Sequence, residues 1–594
     1  MWDIVRDSTF GQLVNWASSG RYASYPEQRP DFRPSKRFLA RPLDSPTSEA
    51  PPEVSTSRTQ ARRAETEARQ VTSDPSTEEA GLYPVHPKPA PSMMEAALMK
   101  TRSRATTHRE SEGGTQRPPR ISEEEKPYPG LVDWEENDQD NPQNWSKPKR
   151  YFVGAQISLL TFAVYVASAI YTSSIPGIVE DFQVSSVVAT LGLTLFVFGY
   201  GISPMILSPM QEMPSVGRNP PYIIGLFLFV LFNMPPPVAG DNLVVLFVFR
   251  FASGFVGGPA LATGGASMTD VFPPRQQAMA VASWAIGAAC GPPLGGYPAF
   301  LNGWRWPFYE IVWLSGATFI LLFFLLPETY AATILLRRAQ RLRRATGNSH
   351  IKTRCEVQMT DQVRFFDLLL VNAKRAVRLS FEPAIFVANI HIALVYAILY
   401  IFFESFPLVF TGVHDFNLGE TGLAFLCFAV PAPFTYYAYY LYQRHVMEPR
   451  MVNPKPGRPF TAEMRLEIGI FAGLLIPVAL LIFGWTGRNK SVHWIWPMLG
   501  AGIYLPGIYL SFQSILMYIG IAYPAYAASI FAGNDFFRSC FAAPFPLAGD
   551  AFFRALGLGG GNTFLAGASL FTTGFLYLIY RYGSKLRERS DFSG

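Results

Sequence analysis

The sequence predicts an all-α membrane protein of twelve transmembrane helices arranged as two groups of six. Three observations carry that expectation. From Tyr151 onward the chain resolves into apolar blocks of about 20 residues, each long enough to cross a bilayer as helix. Lys and Arg between the blocks crowd into alternate loops, as the positive-inside rule requires. A hydrophilic, arginine-rich stretch at about 328–382 divides the blocks into two sixes.

A polar segment, residues 1–150, precedes the blocks and keeps the mean hydropathy of the 594-residue chain only mildly positive. Trp2, Ile4, Val5, Phe10, Leu13, Val14 and Trp16 follow a loosely helical pattern. That pattern fits either a helix on the inner membrane surface or a partly ordered tail. Residues 31–130 are rich in Pro, Ser, Thr, Glu and Arg and poor in aromatics. Such a segment buries too little apolar surface to offset chain entropy, so 1–150 is expected to be a largely disordered cytoplasmic tail. No charged start followed by an apolar run opens the chain, so the first spanning helix is expected to direct insertion.

The N-terminal half, 151–327, holds blocks at roughly 152–172, 187–208, 220–238, 243–266, 277–301 and 307–326. The basic central loop, 328–382, follows. The C-terminal half, 383–581, holds blocks at roughly 384–410, 419–441, 466–486, 493–519, 524–548 and 563–580, and a short tail, 582–594, ends the chain. Arg218, the arginines of 337–344, Arg444, Arg450 and Arg465 fall in the loops of one side, with Arg581, Lys585 and Arg587 in the final tail. The other side holds few cations beside Glu180, Asp181 and Asp415. Both termini are therefore expected in the cytoplasm. The formal charge of +6 is a topology signal rather than a nucleic-acid face. The four cysteines have no metal or redox spacing, and no phosphate-cradling loop or nucleophile elbow is present, so the sequence offers no enzyme.

Within the fifth block, the stretch Ala282–Gly296 is built from residues that damage a soluble helix. Gly287 and Gly291, four apart, share a face and admit a neighbouring backbone. Pro292 and Pro293 remove two donors and bend the helix, and Gly295 and Gly296 leave the bend bare. Two readings stand: a tight packing seam, or a pivot between moving helices.

Ionisable residues inside spans cost about 2.5–3.5 kcal/mol each on insertion scales, which makes the few present informative. Arg250 sits about eight residues into the fourth block. It either snorkels to the interface or faces a water-filled cavity and biases a neighbouring acid. Asp535 and Arg538 share one helix face in the eleventh block, as a structural ion pair or as a proton or substrate site. Glu404, flanked by aromatics in the seventh block, reaches either headgroups or a site for cationic aromatic molecules. His391 reads as a hydrogen-bonded core residue rather than a proton carrier. Trp304 and Trp306 read as an interfacial belt.

These motifs together resemble a known family. Gly287-x-x-x-Gly291-Pro292-x-x-Gly295 resembles the antiporter motif in the fifth helix of proton-coupled drug exporters of the major facilitator superfamily. Leu246-x-x-x-Arg250-x-x-x-Gly254 is similar to the fourth-helix motif of that family. Ser208-Pro-Met-Gln-Glu-Met-Pro-Ser-Val-Gly217-Arg218-Asn219 is similar to the loop between its second and third helices. From about Asp133 to the C-terminus the chain looks like the fungal twelve-span drug:proton antiporters of the fluconazole, cycloheximide and caffeine resistance type. Asn141–Ser146, Arg218–Tyr222, Leu326-Pro-Glu-Thr329, Phe402-Phe-Glu404, Phe416–Gly419 and Phe531–Arg538 carry that closer likeness. Three positions depart from it. Gly296 follows Gly295 where close relatives more often have Pro, which softens the bend. Glu212 stands for the superfamily's Asp, with Met213 near its first Arg. Ser253 stands where some relatives have Gln.

The resemblance implies a major facilitator fold and proton-driven export of amphipathic, often cationic or heteroaromatic xenobiotics by alternating access. Arg250, Glu404 and Asp535 would carry the proton or the substrate charge, supported by Asn534 and Arg538. Gly287, Gly291, Pro292 and Gly295 would set helix packing, and Glu212, Gly217, Arg218 and Asp270 would latch the cytoplasmic side. No metal and no cofactor beyond the proton gradient is implied. The expected setting is a monomer in the plasma membrane, with the vacuolar membrane as the alternative. Partners are drugs, protons and lipid, not nucleic acid. Two other functions fit the same chain: export of an endogenous secondary metabolite or polyamine, and a receptor or scaffold that no longer transports. The intramembrane charges speak against the last.

Overall fold

The computed structural model describes residues 2–34, 38, 130–238, 242–273, 276–277, 280, 291–358, 365–452, 460–523 and 527–588. A backbone in lipid must satisfy each N–H and C=O internally, and the apolar blocks accordingly form helices. Among the described residues, ten are long and apolar enough to cross a membrane. They include span 1 (Lys147–Phe182), span 2 (Ser186–Gln211), span 3 (Asn219–Val238), span 4 (Leu243–Val271) and span 6 (Trp306–Leu325). Span 7 (Pro383–Thr411), span 8 (Leu418–Val452), span 9 (Ala462–Thr486) and span 10 (Ile495–Ala522) follow. The tenth is a 44-residue helix, Phe545–Glu588. Span 5 is described from Gly291 to Asn302, and span 11 starts as the helix Ala527–Ala542.

The long helix Phe545–Glu588 is two limbs. Gly557 sits between them with φ 70° and ψ 162°, a conformation that favours a residue without Cβ. The rings of Phe552 and Phe564 lie 6.0 Å apart, so the chain folds back there. The first limb completes span 11 and the second is span 12. Both blocks therefore reach further into the Gly557–Gly561 run than the sequence boundaries placed them. Glycine costs about 1 kcal/mol in a soluble helix, and the run read as a break.

Local signals fix where spans start. The Ser185 hydroxyl accepts from the Val188 amide, Asn242 accepts from the Val244 and Val245 amides, and Asn417 and Glu420 form a capping box. Within the N-terminal half, spans 2 and 4 cross backbone to backbone. A Cβ on Gly254 would stand 2.2 Å from the Phe196 carbonyl oxygen, and one on Gly199 2.5 Å from that of Phe251. Between the halves, Thr194 of span 2 donates to the Ala543 carbonyl (2.9 Å), and Gly201 packs on Ser539.

Spans 5 and 8 close the end of the junction opposite the arginine-rich loops. Here a Cβ on Gly422 would stand 2.6 Å from the Pro292 carbonyl oxygen and 3.0 Å from the Gly296 Cα. Gly291 packs against Ala169 and Ile170 of span 1, and Gly295 against Ile170. Gly291, Pro292 and Gly295 thus lie in a seam of close backbones. Gly287 lies outside the described residues.

The arginine-rich end carries a folded cap. Helices α1 (Trp2–Asp7) and α2 (Thr9–Ala17) dock on spans 3 and 6. Phe10 packs its ring on Phe323 and Phe324, with centroids at 6.2 and 4.7 Å, and Thr9 donates to Asn219 at 3.2 Å. Between the halves, helix α3 (Ala331–Thr346) holds this segment. Tyr25 lies between the guanidinium groups of Arg6 (4.6 Å) and Arg341 (3.8 Å), and buried Glu27 pairs with Arg341 at 3.1 Å and Arg338 at 3.4 Å. Strand β1 (Leu131–Val132) pairs in parallel with β2 (Lys352–Thr353). Residues 2–34 are therefore a docked element, although most of 35–129 lies outside the described residues. Trp304 also differs from its reading as an interfacial belt. It is 5% exposed, packs on Gly177 and donates its indole N–H to Asp181 at 2.6 Å.

Candidate functional site

At mid-span depth, walled mostly by the C-terminal half and meeting the N-terminal half at Tyr165, lies a hollow of about 730 Å³ counted with its open mouth. Span 1 contributes Tyr165, span 7 His391, Val395 and Tyr396, span 10 Ile508 and Phe512, and span 11 Arg538. Its walls are mostly apolar and aromatic, as those of small-molecule sites are.

Arg538 is the charged group at that wall. Its Nε donates to Asp535 Oδ1 at 2.9 Å, with a second, shorter contact from Nη2 to the same oxygen. Nη2 also donates to the Tyr165 hydroxyl at 3.2 Å, so the pair in the C-terminal half touches the N-terminal half. The guanidinium lies over the rings of Tyr396 and Phe512, each at 4.9 Å. Both members are almost fully buried, and the second carboxylate oxygen, Oδ2, has no hydrogen-bond partner among the described residues. A buried pair of this kind holds only while its geometry is complete. Asn534 does not support it directly. It donates to Asn389 of span 7 at 2.7 Å and ties spans 7 and 11 together. His391 is fully buried and shares a hydrogen bond with Thr572 of span 12 through Nδ1 at 3.1 Å, while its Nε2 has no hydrogen-bond partner among the described residues.

A cluster of tyrosines that the sequence reading passed over joins the halves beside this cavity. The Tyr200 hydroxyl of span 2 bonds those of Tyr396 (2.7 Å) and Tyr400 (2.9 Å) of span 7. Tyr400 also bonds Ser168 of span 1 at 3.1 Å. The available signal was the spacing of Tyr396 and Tyr400, four apart in the otherwise apolar stretch Ile392–Phe403, because a buried phenol needs a partner.

Arg250 lies elsewhere, wholly inside the N-terminal half. Its Nη1 donates to the Ala167 carbonyl (3.1 Å) and its Nε to that of Gly192 (3.3 Å). The guanidinium is held between Phe196 at 4.2 Å and Tyr171 at 4.6 Å, and it forms no ion pair among the described residues. Neither sequence reading fits. The side chain reaches neither the interface nor a neighbouring acid; two carbonyls and two ring faces surround it, and its Nη2 has no hydrogen-bond partner among the described residues. Ser253, at the position of the family's Gln, turns its hydroxyl to the Arg250 carbonyl rather than to the guanidinium. Glu404 is also apart from the cavity wall, accepting a long bond from Thr190 (3.4 Å) and packing on Gly549.

At the arginine-rich end Gly217, Arg218 and Asp270 come together with one added member, while Glu212 stays unpaired among the described residues. Arg218 pairs with Asp270 at 2.9 Å, and its backbone N–H donates to Glu328 at 3.0 Å. Gly217 has φ +82°, and a Cβ there would stand 2.4 Å from Glu328 Oε2. Only glycine lets the turn close on that carboxylate. Glu328, from the Leu-Pro-Glu-Thr motif, is thus the anchor of the turn and was not read as one. Glu212 makes no ion pair among the described residues. It borders a second, smaller hollow of about 440 Å³ between spans 2 and 4 and span 11. Burial pushes its carboxyl up to about 7, with Arg218 pulling down and Asp270 pushing up.

Comparison with known proteins agrees with this architecture. A model of the Major Facilitator Superfamily matches residues 157–546. The chain is 40% identical to "Transporter mfs1" of Schizosaccharomyces pombe, over 78% of this chain and 88% of that one. It is 36% identical to "Fluconazole resistance protein 1" of Saccharomyces cerevisiae, covering 81% and 88%. The "Cycloheximide resistance protein" of Candida maltosa is also 36% identical, covering 78% and 86%. Among solved structures, the proton:xylose symporter XylE aligns with a TM-score of 0.50 at 11% identity, over 73% of this chain and 97% of that one, a likeness of fold alone. With a family model matching residues 157–546 and relatives aligned over most of their length on an all-helical, many-span fold, the chain belongs to the major facilitator superfamily.

Proposed function

We propose that this chain is a proton-coupled exporter of drug-like, amphipathic molecules, working as a monomer in the plasma membrane with both termini in the cytoplasm. The observation that carries the proposal is the cavity at the junction of the halves with Arg538, ion-paired to Asp535, in its wall. Relatives named for fluconazole and cycloheximide resistance support export of such compounds. In this reading a proton on Asp535 loosens its hold on Arg538. Arg538 then releases Tyr165, and the contact between the halves changes with the occupancy of the cavity. The seam of spans 5 and 8 closes the outward side while substrate enters from the cytoplasm.

The test is uptake of radiolabelled fluconazole into vesicles carrying the purified chain. An imposed pH gradient alone should drive accumulation, and collapsing the gradient should abolish it. Accumulation that needs no gradient would sink the coupling.

A further inference from the structure

We infer that the cavity selects uncharged aromatic molecules bearing a hydrogen-bond acceptor, such as a carbonyl or an unprotonated ring nitrogen, and turns away fixed cations. The inference rests on the reading of this cavity as the substrate site of an exporter and says which chemistry it takes.

The charged and phenolic groups at the wall point that way. Arg538 is a donor with no acceptor capacity, and its Nη1 makes no hydrogen bond among the described residues. The Tyr165 hydroxyl accepts from Arg538, which leaves its own proton to give. An acceptor on a ligand therefore meets a guanidinium and a phenol side by side. Ser511, also at the wall, turns its hydroxyl to the Gly469 carbonyl instead.

No acid offers a counter-charge there. Asp535 gives one oxygen to Arg538, and the other is buried away from the cavity surface. Glu404 is eight residues from Tyr396 along span 7, about 12 Å at helical rise, and faces Thr190. No other Asp or Glu borders the cavity among the described residues.

Aromatic walls would ordinarily attract a cation through their ring faces. Here Arg538 already covers the rings of Tyr396 and Phe512, each at 4.9 Å. A drug cation would have to share those faces with a guanidinium of like sign, in surroundings where charge repulsion is poorly screened.

A matched pair of probes tests this. N-methylacridone carries a ring carbonyl and no charge, whereas N-methylacridinium has nearly the same shape, no carbonyl and a fixed positive charge. Their dissociation constants are measured by equilibrium dialysis on the full chain in lipid nanodiscs, with empty nanodiscs subtracted. The wild type should bind the ketone about tenfold or more tightly than the cation. Arg538→Gln should bring the two within about threefold, by weakening the ketone and admitting the cation. That variant leaves Asp535 unpaired, so Arg538→Gln with Asp535→Asn, which removes both charges, is measured beside it with the same expectation. Equal or tighter binding of the cation by the wild type overturns the inference while leaving the cavity as the site. A ratio unchanged in the double variant overturns it as well. Binding of neither probe overturns the assignment of the cavity on which the inference stands.

Discussion

The seam between spans 5 and 8 gives the sharpest handle on motion. Replacing Gly422 by Ala adds a Cβ 2.6 Å from the Pro292 carbonyl oxygen and 3.0 Å from the Gly296 Cα. Ordinary contact begins near 3.4 Å, so the carbonyl must retreat by about 0.8 Å, the difference between 3.4 and 2.6. Both obstacles are backbone, which cannot step aside as a side-chain tip would. Overpacking of this kind costs about 1–3 kcal/mol. The cost falls only on the state in which spans 5 and 8 touch, so the equilibrium should move toward the opened seam by roughly 5–150-fold. Spin labels at Leu301 and Leu423, both exposed on the two helices, report the separation by electron paramagnetic resonance. The parent should give mainly the short distance, and Gly422→Ala should add a longer population. Gly567→Ala is the control, because nothing lies within 4 Å of its added Cβ. An unchanged distance distribution in a folded Gly422→Ala protein would refute the seam as a gate.

Two further outcomes follow from the geometry. Arg250→Met deletes two charge-assisted hydrogen bonds to carbonyls and should lower the stability of the N-terminal half by about 2–5 kcal/mol, read as a lower melting temperature in detergent. Folded molecules of that variant should still couple transport to protons, and loss of coupling at unchanged stability would contradict the structural role given to Arg250. Glu212 gives a pH dependence of definite sign. Its folded carboxyl titrates near 7 against an ordinary value of 4.5, so the folded state holds the proton more tightly. Stability should therefore fall as pH rises from about 4.5 to 7 and level off above that. Glu212→Gln should flatten this part of the melting-temperature profile and raise it most at pH 8.

How much of this was legible in the sequence differs by element. Span positions, the division into halves and the basic loops follow from apolar length and charge alternation, which are local properties of a chain in lipid. The Asp535–Arg538 pair was legible because both partners lie on one helix, three residues apart. Arg250 was legible as costly but not in its role, since its partners come from Ala167 and Gly192 on other helices. The tyrosine cluster is harder still, joining residues about 200 apart in sequence, with only the four-residue spacing of Tyr396 and Tyr400 to hint at it. The docking of residues 2–34 has the same cause. Phe10 and Glu27 find their partners at Phe323, Phe324, Arg338 and Arg341, more than 300 residues away.

Proton movement on adding substrate bears most directly on the idea that the Asp535–Arg538 pair links the cavity to the gradient. A pH-sensitive dye sealed inside vesicles carrying the purified chain should respond when fluconazole is added to the wild type. Asp535→Asn should leave fluconazole binding within about threefold of the parent and show no drug-dependent pH change. A response in Asp535→Asn as large as in the wild type would contradict the account.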